Sequence, residues 1–265
     1  IVALALDPNN PNRLYASMVN SVSGGIYRTV NLGSGTNSTW AKLPNPPRTQ
    51  GHPYVIRILN DGTIVCSYSA RIASGNFQQS AGVFVSTDDG ASWADRSHAG
   101  MMYYTKDVVI DPHDSAQNTW YAGVWSEWGN SSGLGGIYRT TNRGVAWTLI
   151  TTNIDQVGSA TVDPANSNAM YACTENDGLW LTTNLHAAIP SFSPVMEYPF
   201  RFPSRVFFNP WNSNEVWVTS FGNGLRLGRI AEPEPELTFL SGATSLAIAA
   251  ASGQRGIVSV STNLS

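Results

Sequence analysis

Five carboxylates stand in the segments where this chain varies most in length and composition: Asp107, Glu127, Asp155, Glu175 and Asp177. Glu127 lies between Trp125 and Trp128. Rings on both sides would strip it of water, favour its neutral form and leave a carboxyl able to donate a proton near neutral pH. Glu175 and Asp177, from a neighbouring repeat, offer a counterpart. Two carboxylates facing one glycosidic bond, roughly 6.5–9.5 Å apart for inversion or about 5 Å for retention, make a general acid and a base or nucleophile. The competing use of any one such loop acid is contact with solvent or backbone.

Flat rings crowd the same segments: Tyr54, Phe77, Tyr103, Tyr104, Trp125, Trp128, Phe200, Phe202 and Phe221, with Arg71, Arg201 and several amides beside them. Rings stack on the apolar faces of pyranoses while polar groups take the hydroxyls, so this inventory suits a sugar chain. About half of the rings are expected to pack between structural elements instead. Other chemistries lack their context. Residues 129–133 (Gly-Asn-Ser-Ser-Gly) match Gly-x-Ser-x-Gly in letters but precede a strand, whereas a nucleophile elbow needs a strand-to-helix turn. His52, His98, His113 and His186 show no metal-ligand spacing, with each other or with Cys66 and Cys173. No metal and no cofactor are expected.

The elements that must position these residues are repeats. Residues 86–93 read Ser-Thr-Asp-Asp-Gly-Ala-Ser-Trp, and residues 140–147 read Thr-Thr-Asn-Arg-Gly-Val-Ala-Trp. A stretched copy starts at Thr29 and ends at Trp40, and a fourth starts at Thr182 without reaching its Gly or Trp. In each, Asp or Asn caps a tight turn, Gly takes dihedrals other residues resist, and Trp packs back on the hairpin. Ser86, Asp88, Gly90 and Trp93, with Thr140, Asn142, Gly144 and Trp147, are therefore structural. A second landmark alternates with the first: an apolar strand, Asp-Pro or Asn-Pro, then another strand, at Asp7, Asp111, Asp163 and Asn209, with Asp61 in a shorter version.

Four short antiparallel strands per unit of roughly fifty residues is the pattern of a propeller blade. The chain reads as an all-β β-propeller of about five blades, near 1–52, 53–104, 105–156, 157–202 and 203–240. Blades occupy 1–231, with residues 225–230 and 237–240 completing the last. A stiff acidic link follows at 232–236 and a β-rich tail or following domain at 241–265. The chain opens on Ile1 inside a strand, so it is expected to be part of a larger propeller, of the seven-bladed type. In an up-and-down blade the first and third turns share one face. Asp7, Asp88, Asp89, Asp111, Asp163, Asn142 and Asn209 are thereby committed to turns, and the variable, aromatic-rich segments fall on the opposite face.

Charged residues are 12% of the chain, and Lys+Arg 15 nearly balances Asp+Glu 18. No basic stripe serves nucleic acid or an anionic membrane, and no apolar run spans a bilayer. A low-charge, Gly-, Ser-, Thr-, Asn- and Trp-rich chain fits a secreted or surface-exposed protein. Cys66 and Cys173 sit on comparable strands one position out of register, which predicts buried free thiols facing opposite ways.

The phrase at 86–93 resembles the Asp box (BNR repeat) of sialidases, sortilin-type receptor domains, photosystem-assembly propellers and xyloglucanase-type tandem-propeller glycoside hydrolases. The units at 7–18, 107–125, 135–147 and 209–225 are most similar to the blades of the last group, and sortilin-type propellers are more distant. That resemblance covers nearly all of 1–230 and implies an extracellular, carbohydrate-active propeller. Its implied activity is endo-hydrolysis of β-glucan or xyloglucan by a carboxylate pair, with this chain as one wall of a cleft completed by a second propeller. Glu127, Glu175 and Asp177 are then the catalytic candidates. Trp125, Trp128, Tyr103, Tyr104, Phe77, Arg71, Phe200 and Phe202 are the substrate-binding ones. The alternative is a non-catalytic propeller that binds glycan or protein, or an extracellular scaffold.

Overall fold

The computed structural model describes residues 1–20, 22–126, 135–151 and 153–230, with the backbone of Glu236–Thr238 and Ala247–Ala249. Runs of β-branched and aromatic residues between Gly, Pro, Asn and Asp fold as five successive antiparallel sheets. Their innermost strands are Ala3–Asp7, Pro53–Ile58, Thr105–Ile110, Val157–Val162 and Pro203–Asn209. The first four sheets have four strands each. The fifth has three, ending on Gly224–Arg229. Of the expected completing strand 237–240, residues 239 and 240 lie outside the described residues, and Glu236–Thr238 pairs with Ala247–Ala249 in a separate two-stranded sheet. The connection from the second to the third strand of blade 2 carries its own small hairpin, Ile72–Ala73 with Asn76–Phe77.

The core lies in four seams between blades. Tyr15, Ile26 and Leu43 of blade 1 meet Ile56, Ile64 and Phe84 of blade 2. Val65, Val83 and Val85 meet Val108, Trp120 and Tyr138 across the next seam. Tyr121 and Ile137 meet Ala160, Val162 and Met170, and Cys173 and Leu179 meet Val206, Val216 and Val218. Each sheet is thus apolar on both faces. Cys66 faces the preceding blade and Cys173 the following one, and both are buried and unpaired.

Turn chemistry repeats from blade to blade. After each innermost strand an Asp or Asn side chain accepts a backbone N–H two residues on: Asn9 to Asp7, Thr63 to Asp61, His113 to Asp111, Ala165 to Asp163 and Trp211 to Asn209. In the third turns, Ser86 Oγ and Thr140 Oγ1 accept from Gly90 and Gly144, while Asp88 and Asn142 accept from the N–H groups of Ser92 and Ala146. The stretched copies keep the layout across longer loops, with Asn31 accepting from Thr39 and Asn184 from Ser191. Trp93 and Trp147 donate their indole N–H to carbonyls of the preceding blade, at Pro44 and Arg96. Arg13 bridges Asp7 to Asp89 of the next blade's turn, so both kinds of turn share a face.

Candidate functional site

The opposite end of the molecule is shaped by a bulge. In blades 2 to 5 the innermost strand skips one residue near its start: Tyr54, Lys106, Gly158 and Ser204. A bulge re-aims the extra side chain. All four of these residues line one axial cavity of about 820 Å³, walled by the innermost strands of every blade.

At the loop end of that cavity the aromatic residues converge. The Trp125 N–H donates to the Tyr104 carbonyl (2.9 Å), and their rings stack 5.1 Å apart. Phe77, delivered by the blade 2 hairpin, meets Tyr104 edge-on at 5.4 Å. The Lys106 ammonium lies over the rings of Tyr54 (4.7 Å), Tyr104 (4.8 Å) and Trp125 (5.0 Å). Trp125 is 3% exposed, so it presents little open face and serves chiefly as a wall. Phe202 lines the same cavity and packs on Phe221 at 5.4 Å. Tyr103 stands beside the cluster, its hydroxyl taking a hydrogen bond from Gln79 (2.9 Å).

Glu175 follows the second strand of blade 4, half-buried, its N–H donating to the Gln156 carbonyl at 3.2 Å. Burial pushes its carboxyl up from the ordinary value, against the pull of Lys106 and then Arg201. Burial likewise pulls the Lys106 ammonium down, opposed by Glu175. The site therefore holds a carboxyl biased toward its protonated form beside a desolvated cation.

The remaining expected residues lie elsewhere. Asp177 is exposed in a separate groove of about 360 Å³, shared with Tyr198, Phe200 and Arg201. Phe200 lies there under the Arg226 guanidinium at 4.7 Å. Arg71 is drawn to Gln50 (3.2 Å) in a polar groove between blades 1 and 2. Glu127 and Trp128 lie outside the described residues.

The expectations passed over Arg57 and Arg205, which line the cavity, and named Asp107 only as a loop acid. Asp107 is instead fully buried on an innermost strand, 3.1 Å from Arg205. A signal existed for two of them: Arg57 and Arg205 are each the one charged side chain of an innermost strand, whereas Asp107 stands beside Lys106.

Fold and cavity together define a β-propeller. No protein-family model and no curated protein matches the chain. Among solved structures it is similar to an ancestral GH74 enzyme, with a TM-score of 0.61 and 17% identity over 83% of this chain and 27% of that one. It is also similar to PorZ, a bacterial surface component of the type-IX secretion system of Porphyromonas gingivalis: TM-score 0.60, 13% identity, 86% of this chain and 32% of that one. YCF48 bound to D1 peptide matches with a TM-score of 0.54 and 12% identity over 86% of this chain and 63% of its own. The chain spans less than two thirds of each of these structures. At such identities the likeness establishes the fold alone.

Proposed function

We propose that the chain is the greater part of one propeller of an extracellular, carbohydrate-active protein, and that its loop face takes a polysaccharide. The observation that carries this reading is the convergence of Tyr54, Tyr104 and Trp125 about Lys106 at an axial cavity whose wall Phe202 shares, with Glu175 within electrostatic reach of Lys106. Flat walls suit pyranose rings, and a carboxyl held toward its neutral form suits protonation of a glycosidic oxygen. The finer assignment is endo-hydrolysis of a β-glucan, xyloglucan included. Glu175 is its acid, Glu127 its partner, and a second propeller the facing wall. The likeness to a GH74 enzyme supports that class through the shared fold.

A second reading has its own observation. Lys106 already occupies the aromatic box, leaving its rings less open to a sugar, and the chain is also similar in fold to PorZ, a bacterial surface component, and to YCF48 bound to D1 peptide.

Affinity electrophoresis through gels containing xyloglucan, mixed-linkage glucan, xylan or mannan separates the readings. Retardation by one β-glucan, lost in a Trp125→Ala/Trp128→Ala variant that still unfolds cooperatively, is the expected result. A reducing-end assay with Glu175→Gln then tests catalysis. Migration unchanged by every glycan would retire the carbohydrate reading in favour of a protein-binding propeller.

A further inference from the structure

The innermost strands of blades 2, 3 and 5 carry Arg57, Asp107 and Arg205, and these three side chains meet. Asp107 is fully buried. Its Oδ2 accepts from the Ala160 N–H (3.0 Å) and lies 3.1 Å from Arg205 Nη2. Its Oδ1 is 3.9 Å from Arg57 Nη2, too far for a hydrogen bond, and has no hydrogen-bond partner among the described residues. Arg57 and Arg205 both line the axial cavity, with side chains 37% and 28% exposed.

Two guanidinium groups thus face one carboxylate. The Asp107 charge offsets one of them and holds Arg205 in place, and among the described residues a net positive charge remains at the cavity wall. Among the described residues the Arg57 guanidinium makes no hydrogen bond, its one ion pair being the loose contact to Asp107. Guanidinium donors drawn away from bulk water are costly unless something accepts from them. Lys106, which lies against three rings and lines the same cavity, adds to that positive charge.

A second carboxylate would balance the cluster, since the planar guanidinium fork matches a carboxylate in two parallel hydrogen bonds. Tyr54 and Phe202 on the same cavity wall would lie beside whatever carries it. A uronic acid joins a carboxylate to a ring with an apolar face, which matches both features. We infer that the axial cavity binds the carboxylate of an acidic sugar, with Arg57 and Arg205 as the clamp and Asp107 as the positioning residue. This inference rests on the carbohydrate reading and narrows it from neutral glucan to a uronate-bearing glycan.

The test titrates methyl β-glucuronide and methyl β-glucoside, which differ by carboxylate against hydroxymethyl, into the isotopically labelled chain. The glucuronide is expected to bind about tenfold or more tighter, the worth of one charge-assisted contact. It should also shift the Ala160 amide, whose N–H reports on Asp107. Arg57→Gln or Arg205→Gln should erase the preference, and salt should weaken it. If those variants do not fold, Arg57→Lys and the wild-type Ala160 shift still decide. Equal affinity for the two glycosides overturns the inference, as does a glucuronide preference that survives both Gln variants. So does tighter, Arg57-dependent binding of a peptide C-terminal carboxylate, tested with acetyl-dialanine. Retardation by neutral xyloglucan in any of those cases leaves the carbohydrate reading standing, whereas binding of no glycan at all removes both.

Discussion

At the scale of single residues, burial decides which groups react. Burial holds the Cys66 thiol well above its ordinary value and pushes Cys173 up to about 12, so neither is a thiolate at neutral pH. The folded chain should leave Ellman's reagent colourless at about pH 8, with both thiols reacting after denaturation. Prompt reaction of either in the native protein would contradict the packing of its seam. Glu175 makes a pH prediction. Its carboxyl is raised above the ordinary 4.5, so its ionisation opposes folding. That contribution is most favourable below the unfolded value and is lost as pH rises through the higher folded value. Glu175→Gln should therefore gain stability relative to wild type as pH climbs from about 4 toward 7. A difference flat across that window, read by denaturant melts, would show Glu175 to be solvated.

Among elements, the Trp-bearing turns are ties between blades, and the tie differs from copy to copy. Trp147 packs on Trp120 at 6.5 Å and donates to the Arg96 carbonyl at 2.6 Å. Trp40, at the end of the stretched turn, is 43% exposed. Trp147→Ala should cost about 3–5 kcal/mol, whereas Trp40→Ala should cost under about 1 kcal/mol. Comparable losses at both positions, measured by urea unfolding, would mean that the longer turn ties its blades equally well. Ser86 is a smaller case. Its buried hydroxyl accepts from Gly90 and donates to Asp88 Oδ1, so Ser86→Ala should cost about 1–2 kcal/mol.

For the whole molecule, two blade faces lack, among the described residues, the neighbour that every other blade face has. Tyr121 of blade 3 is 1% exposed under blade 4, while the corresponding Trp217 of blade 5 is 38% exposed. Phe207, Trp217 and Leu225 line an apolar hollow of about 540 Å³, and Leu4 and Leu6 are exposed on blade 1. Faces that elsewhere form blade-to-blade seams are the faces further blades would cover, which fits a larger propeller. Contiguous apolar surface of this kind drives association. The 1–265 chain should sediment as concentration-dependent oligomers, and Trp217→Gln with Leu225→Gln should shift it toward monomer. A wild-type chain that stays monomeric at high concentration would count against these faces being unfinished seams.

The β-propeller and its repeat could be read from the sequence because they depend on local chemistry. Asx turns, Gly at strained dihedrals and strands of β-branched residues recur in register whatever lies across the molecule. Even the stretched and truncated turns, at Thr29 and Thr182, keep the bonds that their Asn residues announce. The rings at Tyr104, Trp125 and Phe202 were legible as a type of surface, since variable segments of a blade share a face. How they are used was not: Lys106 over the rings, Trp125 as a buried wall, and Asp177 and Arg71 in separate grooves each depend on which segments of different blades meet. The axial cluster is the clearest division. Arg57, Asp107 and Arg205 are separated by about fifty and then about a hundred residues. No local rule couples them. Only the arrangement of innermost strands about one axis brings their charges together.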